Sequence, residues 1–181
     1  TGDVEDKYGG NYDDHLTDKG KLQSKELADK LKDKSIEIIY HSPKLRATET
    51  AKIVSNNLNI KTKVIRDLRE RNNYGVLTGL TRSEAKKRFP DQVRELKNGL
   101  YHRVRDSENY LKFKNRIVKS FNKITSNQIY STIAIITHGG PISCIVREIL
   151  KLGEFEKLGD CAILEIERIN NKYRLVKIGG A

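Results

Sequence analysis

Residues 131–150 read STIAIITHGGPISCIVREIL. Ile133, Ala134, Ile135 and Ile136 form a short unbroken apolar run, the pattern of a strand buried on both faces. Pro141 suits a first helical position, and Ile142, Ile145, Val146 and Ile149 then recur at helical spacing. His138, Gly139 and Gly140 stand at the join. In an open parallel sheet, the carboxyl end of a strand and the amino end of the following helix are where ligands bind. Glycines there let a ligand approach backbone N–H groups, and a helix start favours an anion. His138 is therefore a candidate to hold a phosphate or carboxylate. Taken alone it reads equally well as a half-buried structural histidine.

The flanking sequence repeats the alternation of strand and helix. The opening TGDVEDKYGGNYDDH is polar and without periodicity, so it reads as a loop. Thr17 caps a helix over about 18–32, with Ser24, Leu27, Ala28 and Leu31 as its buried stripe. IEIIY is a strand, SPKLRATETAKIVSNNL a helix with Pro43 near its first turn, and TKVIR a second strand. DLRERNNYGVLTGL has no clean period and reads as a surface loop. Thr81 and Glu84 form a capping box for a helix to about Phe89, and Pro90 begins another. Tyr110, Phe113, Ile117, Phe121 and Ile124 make an apolar stripe that predicts a helix over 109–125. CAILEIER and YRLVKI flank Asn170-Asn171 and read as a terminal hairpin. The order predicts an α/β fold, a three-layer α/β/α sandwich around a mostly parallel central sheet. The chain opens on a loop and a helix, so the expected first strand is missing from the given sequence. With no linker or repeat in view, residues 1–181 are expected to form a single domain.

Composition narrows the partners. The formal net charge is +11, which permits nucleic acid, a membrane surface or an anionic small substrate. The lysines are interleaved with acids along helices rather than blocked together, so they read as solvated faces and no nucleic acid is expected. No apolar run is long enough to suggest a membrane span, and no signal peptide is visible. The two cysteines, Cys144 and Cys161, have no metal-ligand spacing; their usage suits a reducing cytoplasm, and Cys144 reads as a small core residue. The four histidines (His15, His41, His102, His138) likewise lack ligand spacing, so no metal is expected. No P-loop, GxSxG or GxGxxG is present.

Two further segments carry candidate chemistry. In YHSPKLRATETA a strand ends near His41 and Arg46 follows in the first turn of a helix, able to turn back to the sheet edge that carries His138. Its planar fork suits a bidentate grip on phosphate; the plain alternative is a surface arginine. In LRERNNYG, Glu70 follows a strand at the same edge, where a carboxyl can protonate a leaving group. The plain alternative is a solvated glutamate neutralised by Arg69 and Arg71.

Together, HSPKLRATETA, LRERNNYGVLTGL and THGGPI resemble, in order and spacing, the motifs of the histidine phosphatase superfamily, the phosphoglycerate-mutase-like fold. DKYGGNYDDHLTDKG is similar to the family segment that follows its first motif. The resemblance spans essentially the whole chain and points to the phosphatase branch. It implies an Arg-His-Gly motif with the nucleophilic histidine just upstream of Thr1, absent from the given chain. It further implies Arg46 as a phosphate clamp, Glu70 as proton donor, and His138, in cationic form, as a stabiliser of the transferring phosphoryl group. Gly139 would help through its backbone, and Asp3 falls where mutases carry a phosphate-touching asparagine. The activity implied is a histidine-type acid or broad-specificity phosphatase. It would hydrolyse a small phosphorylated metabolite through a phosphohistidine intermediate, with no cofactor. This sequence departs from the pattern at His15, where proline is usual, and in ERNNYG, which is one residue longer than the common form. The alternatives are a cofactor-dependent phosphoglycerate mutase and a non-catalytic phosphate-binding relative. The physiological substrate and the oligomeric state stay open, a homodimer among the options.

Overall fold

The apolar run of β1 (Ile38–His41) lies at the centre of the sheet. The computed structural model describes residues 6–9, 13–126, 129–154 and 159–179. Strand β1 is buried at all four positions. It pairs in parallel with β2 (Thr62–Val64) on one side and β3 (Ile133–Ile136) on the other. His41 is the register partner of both Val64 and Ile136, so the three carboxyl ends finish level at one edge.

Side chains alternate across this sheet and each face meets its own helices. On one face, Ile39, Ala134 and Ile136 pack against Ala28, Ala51 and Val54. Ala28 belongs to α1 (Asp18–Leu31) and the other two to α2 (Leu45–Leu58). On the opposite face, Ile38, Tyr40, Ile133 and Ile135 pack with Leu68 and Ile124. Ile124 belongs to α5 (Tyr110–Thr125), which follows α3 (Arg82–Arg88) and α4 (Pro90–Glu95). Further along α5, Tyr110, Phe113, Ile117 and Phe121 share a core with Cys144 and Ile145 of α6 (Gly139–Ile145). The expected three-layer α/β/α arrangement with a parallel sheet is thus observed.

The caps are those the sequence implies. Thr17 accepts from the Gly20 N–H at 3.1 Å. Thr81 and Glu84 complete a reciprocal capping box. The Asn109 side chain accepts from Leu111 and Lys112. The terminal hairpin is also present: β4 (Ile163–Ile169) pairs antiparallel with β5 (Lys172–Gly179). Asn170 and Asn171 turn it with φ of 47° and 63°, the two left-handed residues of a type I′ turn.

Four details differ from expectation. α2 begins at Leu45 with Lys44 as its cap, so Pro43 precedes the helix rather than entering it. α6 begins at Gly139, two residues before Pro141, which makes His138 the cap residue. The loop 67–80 contains two short 3₁₀ turns, Arg66–Leu68 and Gly75–Leu77, which seat Leu68 and Leu77 in separate cores. β3 is half-buried rather than fully buried. Among the described residues it is paired only to β1. Among the same residues, no helix is long and apolar enough to cross a membrane.

A small second core, Tyr8, Leu77, Ala85 and Val104, sits beside the sheet. Gly75 ties it to the 104–107 segment. Its φ is +48°, and an added Cβ would lie 1.9 Å from the Arg105 carbonyl oxygen and 2.5 Å from the Ser107 nitrogen. Both obstacles are backbone, which cannot rotate away. Gly75→Ala is expected to cost roughly 2–4 kcal/mol, read as a lower denaturant midpoint with an unchanged slope. A variant as stable as the parent would show that this turn tolerates a side chain.

Candidate active site

The level strand ends bring the three candidate segments to one edge. His41 ends β1, and Ser42 follows it, fully buried. The Ser42 N–H donates to the Ile136 carbonyl at 3.0 Å, which extends the β1–β3 ladder past the strand end. Arg46 lies in the first turn of α2. Glu70 follows the 3₁₀ turn after β2. His138 follows β3 and is 8 % exposed.

Glu70 and the histidine turn are in direct contact. The Gly140 N–H donates to Glu70 Oε2 at 3.1 Å, and the Arg71 N–H donates to Glu70 Oε1 at 2.7 Å. The carboxylate occupies the space a side chain at 140 would need: a Cβ built on Gly140 falls 2.1 Å from Glu70 Oε1. Burial pushes the Glu70 carboxyl above its ordinary pKa. The two N–H donors and the Arg46 and Arg116 guanidinium groups oppose that rise without cancelling it. The named influence of Arg46 on both Glu70 and His138 brings the three candidates together electrostatically.

His138 Nε2 lies 2.7 Å from Ser42 Oγ. Burial pushes its pKa down to about 3, helped by the positive charges of Arg46, Lys44 and Arg116. The ring is therefore neutral near pH 7 in the free protein, and the cationic His138 implied by the resemblance is not what this environment favours. Charging a buried imidazole among cations costs both solvation and repulsion.

Arg71 and Arg69 do not neutralise Glu70. The Arg71 guanidinium is turned away, donating to the Glu108 carbonyl at 3.0 Å and the Leu100 carbonyl at 3.0 Å. Arg69 pairs with Asp67 and Glu108. Arg116 instead fixes the loop that carries Glu70. It grips Glu108 with two hydrogen bonds of 2.7 Å. It also donates to the backbone carbonyls of Asp67, Arg69 and Glu70. Thr137 Oγ1 adds a 2.6 Å bond to the Leu68 carbonyl, so α5 and the end of β3 together fix the loop that carries Glu70.

Gly139 opens α6 and is exposed, with open space where a Cβ would stand. Asp3 lies outside the described residues. Among the described residues no group of three or more His, Cys, Asp or Glu is arranged to hold a metal ion. A cleft of about 390 Å³ runs beside Arg71, lined also by Tyr74, Arg82, Leu100 and His102; Arg46, Glu70 and His138 are not among its walls.

This arrangement has a match across the chain: the sequence profile of the histidine phosphatase superfamily (branch 1) fits residues 1–180. The chain belongs to the histidine phosphatase superfamily. It is 27% identical, over 95% of its length and 85% of the relative's, to an uncharacterized phosphatase, PhoE, of Bacillus subtilis. It is 28% identical, over 80% of its length and 68% of the relative's, to a 2,3-bisphosphoglycerate-dependent phosphoglycerate mutase of Thermoplasma acidophilum. In fold it is similar to the crystal structure of an alpha-ribazole phosphatase from Shigella flexneri, with a TM-score of 0.85 at 20% identity, covering 97% of this chain and 89% of that one. Family membership and phosphatase relatives support phosphatase activity.

For a histidine phosphatase, the residues that sequence reasoning missed are the ones that hold the others. Ser42 stands inside a quoted motif, at the head of the stretch that reads as a helix, with nothing local to set it apart. Arg116 lies on the charged side of an amphipathic helix, where nothing in the periodicity sets it apart. Its signal is weak: an arginine flanking the apolar stripe eight positions after Glu108.

Gly140→Ala isolates the contact between the Glu70 loop and the histidine turn. The obstructing atoms are the far end of a flexible side chain, so the carboxylate can move and the fold should survive, with a stability change within about 1 kcal/mol. Glu70 is expected to leave the Gly140 N–H, and a crystal structure of the variant would check it. An unmoved carboxylate in that structure would contradict the contact.

Proposed function

We propose that this protein is a phosphomonoesterase that releases phosphate from a small phosphorylated metabolite. The observation that carries the reading is the Glu70 carboxyl, held on the Gly140 N–H with its pKa raised, in the cationic neighbourhood that also contains His138. A carboxyl with a raised pKa keeps its proton to higher pH than an ordinary glutamate and can give it to a departing alkoxide. Arg46 offers a planar guanidinium for the phosphoryl oxygens, and the Gly139 N–H at the start of α6 adds a backbone donor. His138 contributes a ring N–H beside them. In this reading Glu70 and His138 are catalytic, and Arg46, Gly139 and Asp3 bind substrate. Fixed cations and N–H donors supply the electrostatic stabilisation that phosphoryl transfer needs, without a metal.

The finer mechanism comes from the family. The phosphoryl group would rest transiently on a histidine preceding Thr1, and Glu70 would then take a proton from the water that hydrolyses it. A phosphoglycerate mutase is the second reading, favoured by the mutase relative. Incubating the intact protein with 3-phosphoglycerate separates the two, since a mutase interconverts phosphoglycerates whereas a phosphatase releases inorganic phosphate. A release screen over sugar phosphates, phosphoglycerates and nucleotides identifies the substrate class.

Glu70→Gln should lower kcat by about 10²–10⁴ with the circular dichroism spectrum unchanged. The sign of the pH dependence follows from the raised pKa. The parent loses its general acid as pH rises through that pKa, so its activity falls on the basic side. The glutamine variant, with no proton to lose there, should show no such limb. Parental turnover in Glu70→Gln removes Glu70 from the chemistry. Arg46→Ala should weaken substrate binding and inhibition by inorganic phosphate together, by roughly ten- to a hundred-fold, the loss of a charge-assisted bidentate contact. Loss of only one of the two would contradict a phosphate clamp.

A further inference from the structure

Ser42 is fully buried, yet nothing in the functional reading uses it. Its hydroxyl has one proton to give and two lone pairs. The Lys44 backbone N–H donates to Oγ at 3.2 Å, so one lone pair is occupied. A buried hydroxyl proton needs an acceptor, and among the described residues His138 Nε2, at 2.7 Å, is the partner in place. We propose that Ser42 is a positioning residue: its hydroxyl donates to His138 Nε2, which fixes the ring as the tautomer with its proton on Nδ1. His138 then meets the phosphoryl group as a neutral N–H donor of fixed direction.

The rest of the serine is held to the same end. Its N–H is tied to the Ile136 carbonyl, two residues before His138. Its own carbonyl accepts from Thr48 Oγ1 at 3.3 Å and from the His41 ring at 2.9 Å. A carbonyl can only accept, so His41 donates through Nδ1 and carries a proton there. Side chains from β1 and α2 and the backbone of β3 thus lock Ser42 beside the imidazole. The charged and titratable groups around His138 are Lys44 and Arg46 from α2, Arg116 from α5, Glu70 on the neighbouring Gly140 N–H, and His41 behind Ser42. The three cations all disfavour a second ring proton, so the hydroxyl meets an unprotonated Nε2. A free imidazole prefers neither direction in space. The serine removes that freedom before substrate arrives, the pre-organisation a transition-state donor requires.

This inference uses the proposed function only for its effect on turnover, and its first test needs no activity. In the intact protein labelled with ¹⁵N-histidine, the His138 ring signals are assigned by their loss in His138→Gln. They should show an unprotonated Nε2 and a protonated Nδ1 across neutral pH. In Ser42→Ala they should move toward the other tautomer or a mixture. Turnover in that variant should fall roughly tenfold with little change in KM, the loss of one hydrogen bond felt in the transition state. Ser42→Thr, which keeps the hydroxyl, should recover the parental ring signals. A parental ring protonated at Nε2, or ring signals indifferent to Ser42→Ala, would overturn the assignment. The parental spectrum decides it even if neither variant folds. A protein with the assigned tautomer but no phosphate release would sink the phosphatase reading and leave this one standing.

Discussion

The Arg116 guanidinium decides where the Glu70 loop sits. It reaches three backbone carbonyls of that loop, at Asp67, Arg69 and Glu70, and also donates to the Glu108 carboxylate. Both partners of the pair are about nine-tenths buried. Burial alone would raise the Glu108 carboxyl, but the hydrogen bonds and charge of Arg116 outweigh it and hold the group ionised. A pair of this kind contributes little net stability when intact, because desolvation offsets the attraction. Its value is geometric. Removing one member would strand a buried charge and several carbonyls, so alternative placements of the loop are expensive.

That anchoring explains how like charges tolerate each other at the sheet edge. Lys44 and Arg46 arrive from α2 and Arg116 from α5, and all three lower the pKa of His138. Rigid elements hold these cations near one another, with Arg116 paired to Glu108. Their repulsion is a cost that the cores on either face of the sheet offset, with Ile39, Ile117 and Val54 fully buried.

Much of this was legible in the sequence because it is written in local chemistry. Apolar runs marked β1 and β3, the five-residue stripe marked α5, and Thr17 and Thr81 marked their helices by the hydrogen bonds they make. Asn170-Asn171 marked the hairpin because few other residues adopt two consecutive left-handed conformations. The convergence of Arg46, Glu70 and His138 was legible through parallel topology, which sends all strand ends to one edge. What failed was whatever depends on long-range packing. The ring charge of His138 is set by burial and by cations from two other elements. The true partners of Arg71 are carbonyls of distant residues, at Leu100 and Glu108. The start of α6 was misplaced because proline tolerates more than one position in a first turn, and here it occupies the third.

The space shared by Glu70 and residue 140 couples two positions far apart in the chain. Any methyl group at 140 must evict the carboxylate, and any shortening at 70 leaves a polar void against a helix start. A side chain at 140 and the present seat of the Glu70 carboxylate therefore exclude each other, so a substitution at either position changes what the other can hold.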